Sequence, residues 1–110
     1  MQFMGSLYVG ESIASAEYKI VEKVHKGKVV SGLYLITFSS HPDNMLDLML
    51  EKEALQACYS NVGLKVVGIA GDKKEAIKLV QKIIEESIQE TGSADVRGFL
   101  EKKWEGQACR

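Results

Sequence analysis

The chain has 110 residues, 45% of them apolar, and a formal net charge of −1. That length fits one domain, and that apolar share excludes an intrinsically disordered chain. The near-zero charge disfavours a nucleic-acid partner, which usually selects a basic excess, and no apolar run approaches the roughly 18–20 residues of a membrane span.

One domain is expected over residues 1–104, with 105–110 as a loose tail. The opening MQFMGSLYVGES lacks the basic and long apolar segments of a signal peptide. The two cysteines, Cys58 and Cys109, read as free thiols of a reducing compartment. A cytoplasmic protein is the expectation, with no membrane partner.

In chain order, SLYVG (6–10) reads as a short strand ended by glycine. Residues 12–26 carry Ser12 as a candidate cap, Ile13, Ile20, Val21 and Val24 at helical spacing, and Gly27 as a stop after His25 and Lys26. Glu17 falls inside that apolar stripe, where a carboxylate needs a partner. A β-hairpin is the alternative, with residues 18–24 pairing 28–38 across HKGK. KVVSGLYLITFSS (28–40) and GLKVVGIAG (63–71) read as the second and third strands. Both are nearly continuous apolar runs, the pattern of strands covered on two faces and typical of parallel sheets.

Between them, residues 40–59 read as helix. Ser40 with Asp43 matches a capping box, and Pro42 suits a first turn. The body is apolar almost all round the wheel, through Met45, Leu46, Leu48, Met49, Leu50, Leu55 and Cys58. Such a helix either breaks into two short helices near Glu51 or has one side that meets a second protein surface. Met45, Met49 and Leu50 are the candidate interface residues.

Residues 72–92 form the clearest helix. Ala76, Ile77, Leu79, Val80, Ile83, Ile84 and Ile88 share one half of the wheel, Lys74, Lys78 and Lys82 the other. Asp72 with Glu75 makes an acidic capping box, and Gly92 stands at C′. Residues 93–104 read as a final short helix or strand capped by Asp95 and interrupted by Gly98. Phe99, Leu100 and Trp104 would pack back onto the body.

The βαβαβα alternation predicts a small two- or three-layer α/β domain with a mostly parallel sheet. The alternative is α+β with an N-terminal hairpin. VVGIAGDKKEAIKLVQKIIEES followed by TGSADVRGFL resembles the C-terminal half of a group of small bacterial proteins with no assigned activity. LYVGESI is similar to their opening, so the resemblance spans most of residues 6–100. It implies a stand-alone cytoplasmic domain and no particular reaction, cofactor or substrate.

A parallel sheet would gather its strand exits on one rim, where ligands bind. That rim would hold Ser12, then Ser39, Ser40, His41 and Asn44, then Lys73, a polar set suited to an anion or nucleotide-type ligand. VVGIAGDKKEA (66–76) is not itself a phosphate loop: it matches neither G-x-x-x-x-G-K-[ST] nor G-x-G-x-x-G. Asp72 would already occupy the free N–H groups of the helix start and repel a phosphate. The nucleophile elbow G-x-S-x-G is missing, and His25 and His41, the only histidines, lie in no zinc-type spacing. No catalytic residue, cofactor or metal is assigned. Lys73, Lys74 and Lys78 could join Lys19, Lys23, Lys26 and Lys28 in a basic docking patch if both helices lay on one side of the sheet. The function expected first is a binding module that associates with itself or a protein partner. A small enzyme or small-molecule sensor working at the rim is the alternative.

Overall fold

The computed structural model of the chain describes residues 2–39, 45–57 and 64–106. Gln2–Val9 forms β1, a 3-10 turn follows at Glu11–Ala16, and α1 spans Glu17–His25. Tyr34–Phe38 and Leu46–Leu50 form β2 and β3, and Glu51–Ala57 forms α2. Lys65–Ala70 is β4, Lys73–Thr91 is α3, and Val96–Glu105 is α4. Glu105 is the last residue of α4, and residues 107–110 of the expected tail lie outside the described ones.

The sheet order is β1-β4-β2-β3. Only β1 and β4 run parallel; β2 is antiparallel to both β4 and β3. The expected mostly parallel sheet is therefore corrected to a mixed one, and the α+β class fits. The hairpin proposed within that class is not formed, because residues 18–24 are helical. The antiparallel partner of β2 comes instead from 46–50, expected as helix. The physical reason lies in the layers. Leu46 and Leu48 pack into the core beneath α3 and α4, while Met49 packs into the core beneath α1. A strand buried on two faces is apolar at successive positions, as is a helix buried all round. The two short helices expected on either side of Glu51 are corrected to a strand before it and a helix from it onward.

Two cores flank the sheet. One joins Met4, Tyr8, Ile36, Val67 and Ala70 to Leu79, Ile83, Val96, Phe99 and Leu100 of α3 and α4. The other joins Phe3, Leu35, Val66 and Ile69 to Ile20, Val21, Val24 and Ala54 of α1 and α2. The domain is three layers, each buried Leu, Ile or Val side chain contributing about 1.5–3 kcal/mol. Ile36 pairs with Gly68 but Thr37 with Val66, so Val67 is an extra residue. This one-residue bulge lets Val66 and Ile69 face the same core, with Val67 in the other. Gly68 is fixed by crowding: a Cβ there would sit 3.1 Å from both Ile36 Cδ1 and the Tyr8 carbonyl oxygen.

Helix α3 starts as expected, with the Asp72 carboxylate accepting from the Glu75 amide at 2.8 Å, and ends at Gly92 with φ 69°. Its buried stripe is narrower than the sequence implied. Ile77 and Ile88 are 42% and 48% exposed, and Ser87 is buried in their stead, donating to the Ser93 carbonyl. Gly98 does not interrupt α4. It lies in the first turn, where its amide donates to the Asp95 cap at 3.1 Å and a Cβ would meet that carboxylate at 2.4 Å. Glu17 is the first residue of α1 and half-buried, at the end of the stripe where the helix dipole favours a carboxylate.

Candidate functional site

The mixed topology disperses the expected rim. The exits of β1 and β4 lie together, but β2 runs the other way and carries Ser39 to the opposite end of the sheet. There Ser39 is buried, and its carbonyl accepts from Arg97 Nη1 at 3.0 Å. Ser40, His41 and Asn44 lie outside the described residues, as do Pro42, Asp43, Cys58 and Cys109. Ser12 and Lys73 are both exposed at the β1/β4 end.

What fills that end is Glu75. Its Oε1 accepts from the Gly71 amide and from Ser12 Oγ, each at 2.8 Å, and its Oε2 accepts from the Ser12 amide at 3.2 Å. Gly10 and Gly71 leave the room: a Cβ on Gly10 would overlap the Glu75 carboxylate, and one on Gly71 would stand 2.5 Å from Ser12 Oγ. Gly71 has no positive φ, so close approach rather than an unusual turn requires it. The Gly71 hydrogen bond holds the Glu75 carboxyl below its usual range, with Ser12 and Lys78 acting in the same sense against desolvation. The cradle of N–H groups is thus occupied by the protein's own carboxylate. The sequence held the signal, since Glu75 is three residues after the Asp72 cap, but its reach past the cap to Ser12 depends on parallel β1 and β4.

Of the other expected group, Met49 and Leu50 lie on β3 with their side chains on opposite faces of the sheet, and Met45 stands just before the strand. β3 pairs with β2 from Phe38↔Leu46 through Tyr34↔Leu50. All five of its residues are half-buried, and Met45 just before it is 44% exposed. Among the described residues β3 has no second strand partner. Its main-chain parity follows from one hydrogen bond. The Glu51 amide donates to the Leu33 carbonyl at 2.9 Å, which extends the β2–β3 register by one pair. In an antiparallel ladder, residues alternate between pointing both backbone groups at the neighbour and pointing both away. Asp47, Met49 and the Glu51 amide therefore face β2. Leu46 and Leu48 direct their N–H and C=O groups off the sheet, and Leu50 directs its N–H there, while its C=O accepts the first hydrogen bond of α2.

The opposite edge is guarded. Along β1, Phe3 pairs with Val66 and Tyr8 with Gly68, so residues 4–7 stand against Val67 alone. So wide a bulge breaks the regular ladder an incoming strand would need. β3 carries no such interruption, and Asp47 is its only charge.

Three other features were candidates. Tyr8 is buried on the α3/α4 face, where its hydroxyl donates to Glu86 Oε2 and accepts from Lys103 Nζ at 3.0 Å. The same ammonium lies 4.6 Å from the Tyr8 ring centroid and 5.8 Å from that of Phe99. This is a clamp on α4, made of groups that satisfy one another. A cleft of about 450 Å³ runs along α1 past Tyr18, Val21, Glu22, His25 and Lys26. Lys26 is there paired with Glu22 at 3.0 Å, and the His25 ring sits edge-on to Phe3. The lysines of α1 and α3 lie on opposite faces of the sheet, so they form no joint patch.

Among the described residues, no group of three His, Cys, Asp or Glu side chains could hold a metal ion, and no helix is long and apolar enough to cross a membrane. No protein-family model, curated protein or solved structure matches the chain.

Proposed function

We propose that this chain is a small binding module that associates with a second copy of itself by adding strands at β3. The observation that carries this is the outer edge of β3: five half-buried residues, four of them Leu or Met, with the N–H groups of Leu46, Leu48 and Leu50 and the C=O groups of Leu46 and Leu48 pointing outward. Strand addition satisfies such an edge through main-chain hydrogen bonds and covers its apolar side chains at once. Met45, Met49 and Leu50 are then interface residues, as the sequence implied. A small-anion site at the β1/β4 end has less behind it, because Glu75 already takes the amide and hydroxyl donors there.

Sedimentation velocity across a wide concentration range tests the proposal. A reversible monomer–dimer equilibrium is expected. A strict monomer at the highest concentration would overturn it.

A further inference from the structure

We infer that the association is a two-fold antiparallel pairing of β3 with β3 of the second copy, with the axis passing through Leu48; this rests on the proposed self-association and specifies its geometry. Leu46 and Leu48 present both backbone groups outward, and Leu50 presents its N–H. A two-fold ladder must pair these positions with one another, so its axis falls on a residue and not between two. An axis at Leu48 pairs Leu48 with Leu48 and Leu46 with Leu50 in both directions. That uses the whole strand, with about four main-chain hydrogen bonds: two from the Leu48 pair and one from each Leu46–Leu50 pair, where the Leu50 amide donates to the Leu46 carbonyl.

The charges choose among the axes. Moving the axis to Asp47 sets Asp47 directly opposite Asp47. Moving it to Met49 sets Asp47 opposite Glu51. Like charges facing each other across a ladder are destabilising. Only the Leu48 axis places Asp47 opposite Met49, so that neither Asp47 nor Glu51 stands directly opposite an acid. The apolar side chains agree. Leu46 and Leu48 belong to the face covered by α3 and α4, and Leu50 shares that face by alternation. A two-fold perpendicular to the sheet keeps that face on the same side in both copies. The leucines then meet as Leu48–Leu48 flanked by two Leu46–Leu50 pairs, and the two sheets merge into one of eight strands.

Single-cysteine proteins locate the axis. In a Cys58→Ser, Cys109→Ser background checked for folding by circular dichroism, Asp47→Cys, Leu48→Cys and Met49→Cys are each oxidised near the dimer dissociation constant. A residue on the axis faces its own copy at a separation a disulfide can span. Leu48→Cys is expected to give several-fold more covalent dimer than the other two. Preferential cross-linking of Asp47→Cys or Met49→Cys would overturn the Leu48 axis while leaving self-association through β3 standing. A dimer in sedimentation with no cross-link from any of the three would overturn β3 as the interface. Should Leu48→Cys fail to fold, a mixture of Leu46→Cys and Leu50→Cys proteins, one carrying a size tag, gives the same answer. The axis requires mixed dimers, and their absence overturns it.

Discussion

Ser12 and Glu75 stand 63 residues apart in the chain and are joined twice, hydroxyl and amide of one to the two carboxylate oxygens of the other. The pair ties the 3-10 turn after β1 to the start of α3. It exists because β1 and β4 are parallel neighbours whose exits lie together.

The first prediction concerns this tie. The Gly71 hydrogen bond, supported by Ser12 and Lys78, lowers the Glu75 pKa below its ordinary 4.5. Its contribution is therefore complete above the unfolded value and is lost as pH falls through the lower folded value. Glu75→Gln is expected to cost about 1 kcal/mol at neutral pH, since the carboxylate is close to solvent and its bonds are discounted accordingly. Urea titrations of both proteins should show the difference closing below pH 4.5. A difference that stays constant with pH would mean that the charge of Glu75 contributes nothing.

Tyr8 gives a prediction of opposite sign. Burial first, then the Glu86 hydrogen bond and the charges of Glu86 and Glu90, push its hydroxyl above the ordinary 10.0. The stability it lends is present below that value and lost as pH rises towards the folded one. In an ultraviolet absorbance titration the last tyrosine to ionise should vanish in Tyr8→Phe. That variant should be about 1 kcal/mol less stable at neutral pH, through the unpaired Glu86 and Lys103, and the deficit should shrink above pH 10. Loss of an early-titrating tyrosine would show that Tyr8 is not held neutral by its surroundings.

The elements that could be read from sequence are those whose signals are local. Helix α3 announces itself through Asp72, Glu75 and Gly92, because caps and an apolar stripe need no knowledge of the rest of the fold. Strand direction is not local. The apolar runs of β2 and β4 say that both faces are covered, which is true, but a mixed sheet between two helical layers writes the same pattern as a parallel one. For Leu46–Leu50 even the element type was hidden, since Asp47 alone interrupts the apolar run. The candidate site followed the same division. Met45, Met49 and Leu50 were legible as surplus apolar residues, whereas the Ser12–Glu75 contact depends on which strands are neighbours.

Glu51 tests how the segment between α1 and β2 is held. Its side chain is wholly buried; Oε1 accepts from the Val30 amide at 2.6 Å, and Oε2 has no partner among the described residues. Glu51→Gln keeps the acceptor for Val30 and should stay within about 1 kcal/mol of the parent protein. Glu51→Ala removes it, orphans a backbone N–H and leaves a void, for an expected loss of about 2–4 kcal/mol. Thermal and urea denaturation measure both. An Ala variant as stable as the Gln variant would show that the Val30 contact does not hold that segment.

The parity of β3 is tested by proline. Proline removes a backbone donor and is tolerated in a strand only where that donor points away from the sheet. The Leu48 amide points off the edge, while the Met49 amide faces Leu35 of β2. Leu48→Pro should therefore keep the native circular dichroism spectrum and a cooperative transition, with some loss from the leucine's packing against the α3/α4 core. Met49→Pro should lose a ladder hydrogen bond as well and unfold or melt far earlier. The same Leu48→Pro protein should sediment as a monomer, because its edge has lost the central donor that a second β3 would need. The reverse order of stabilities, with Met49→Pro the better folded, would mean that the outward and inward residues of β3 have been exchanged.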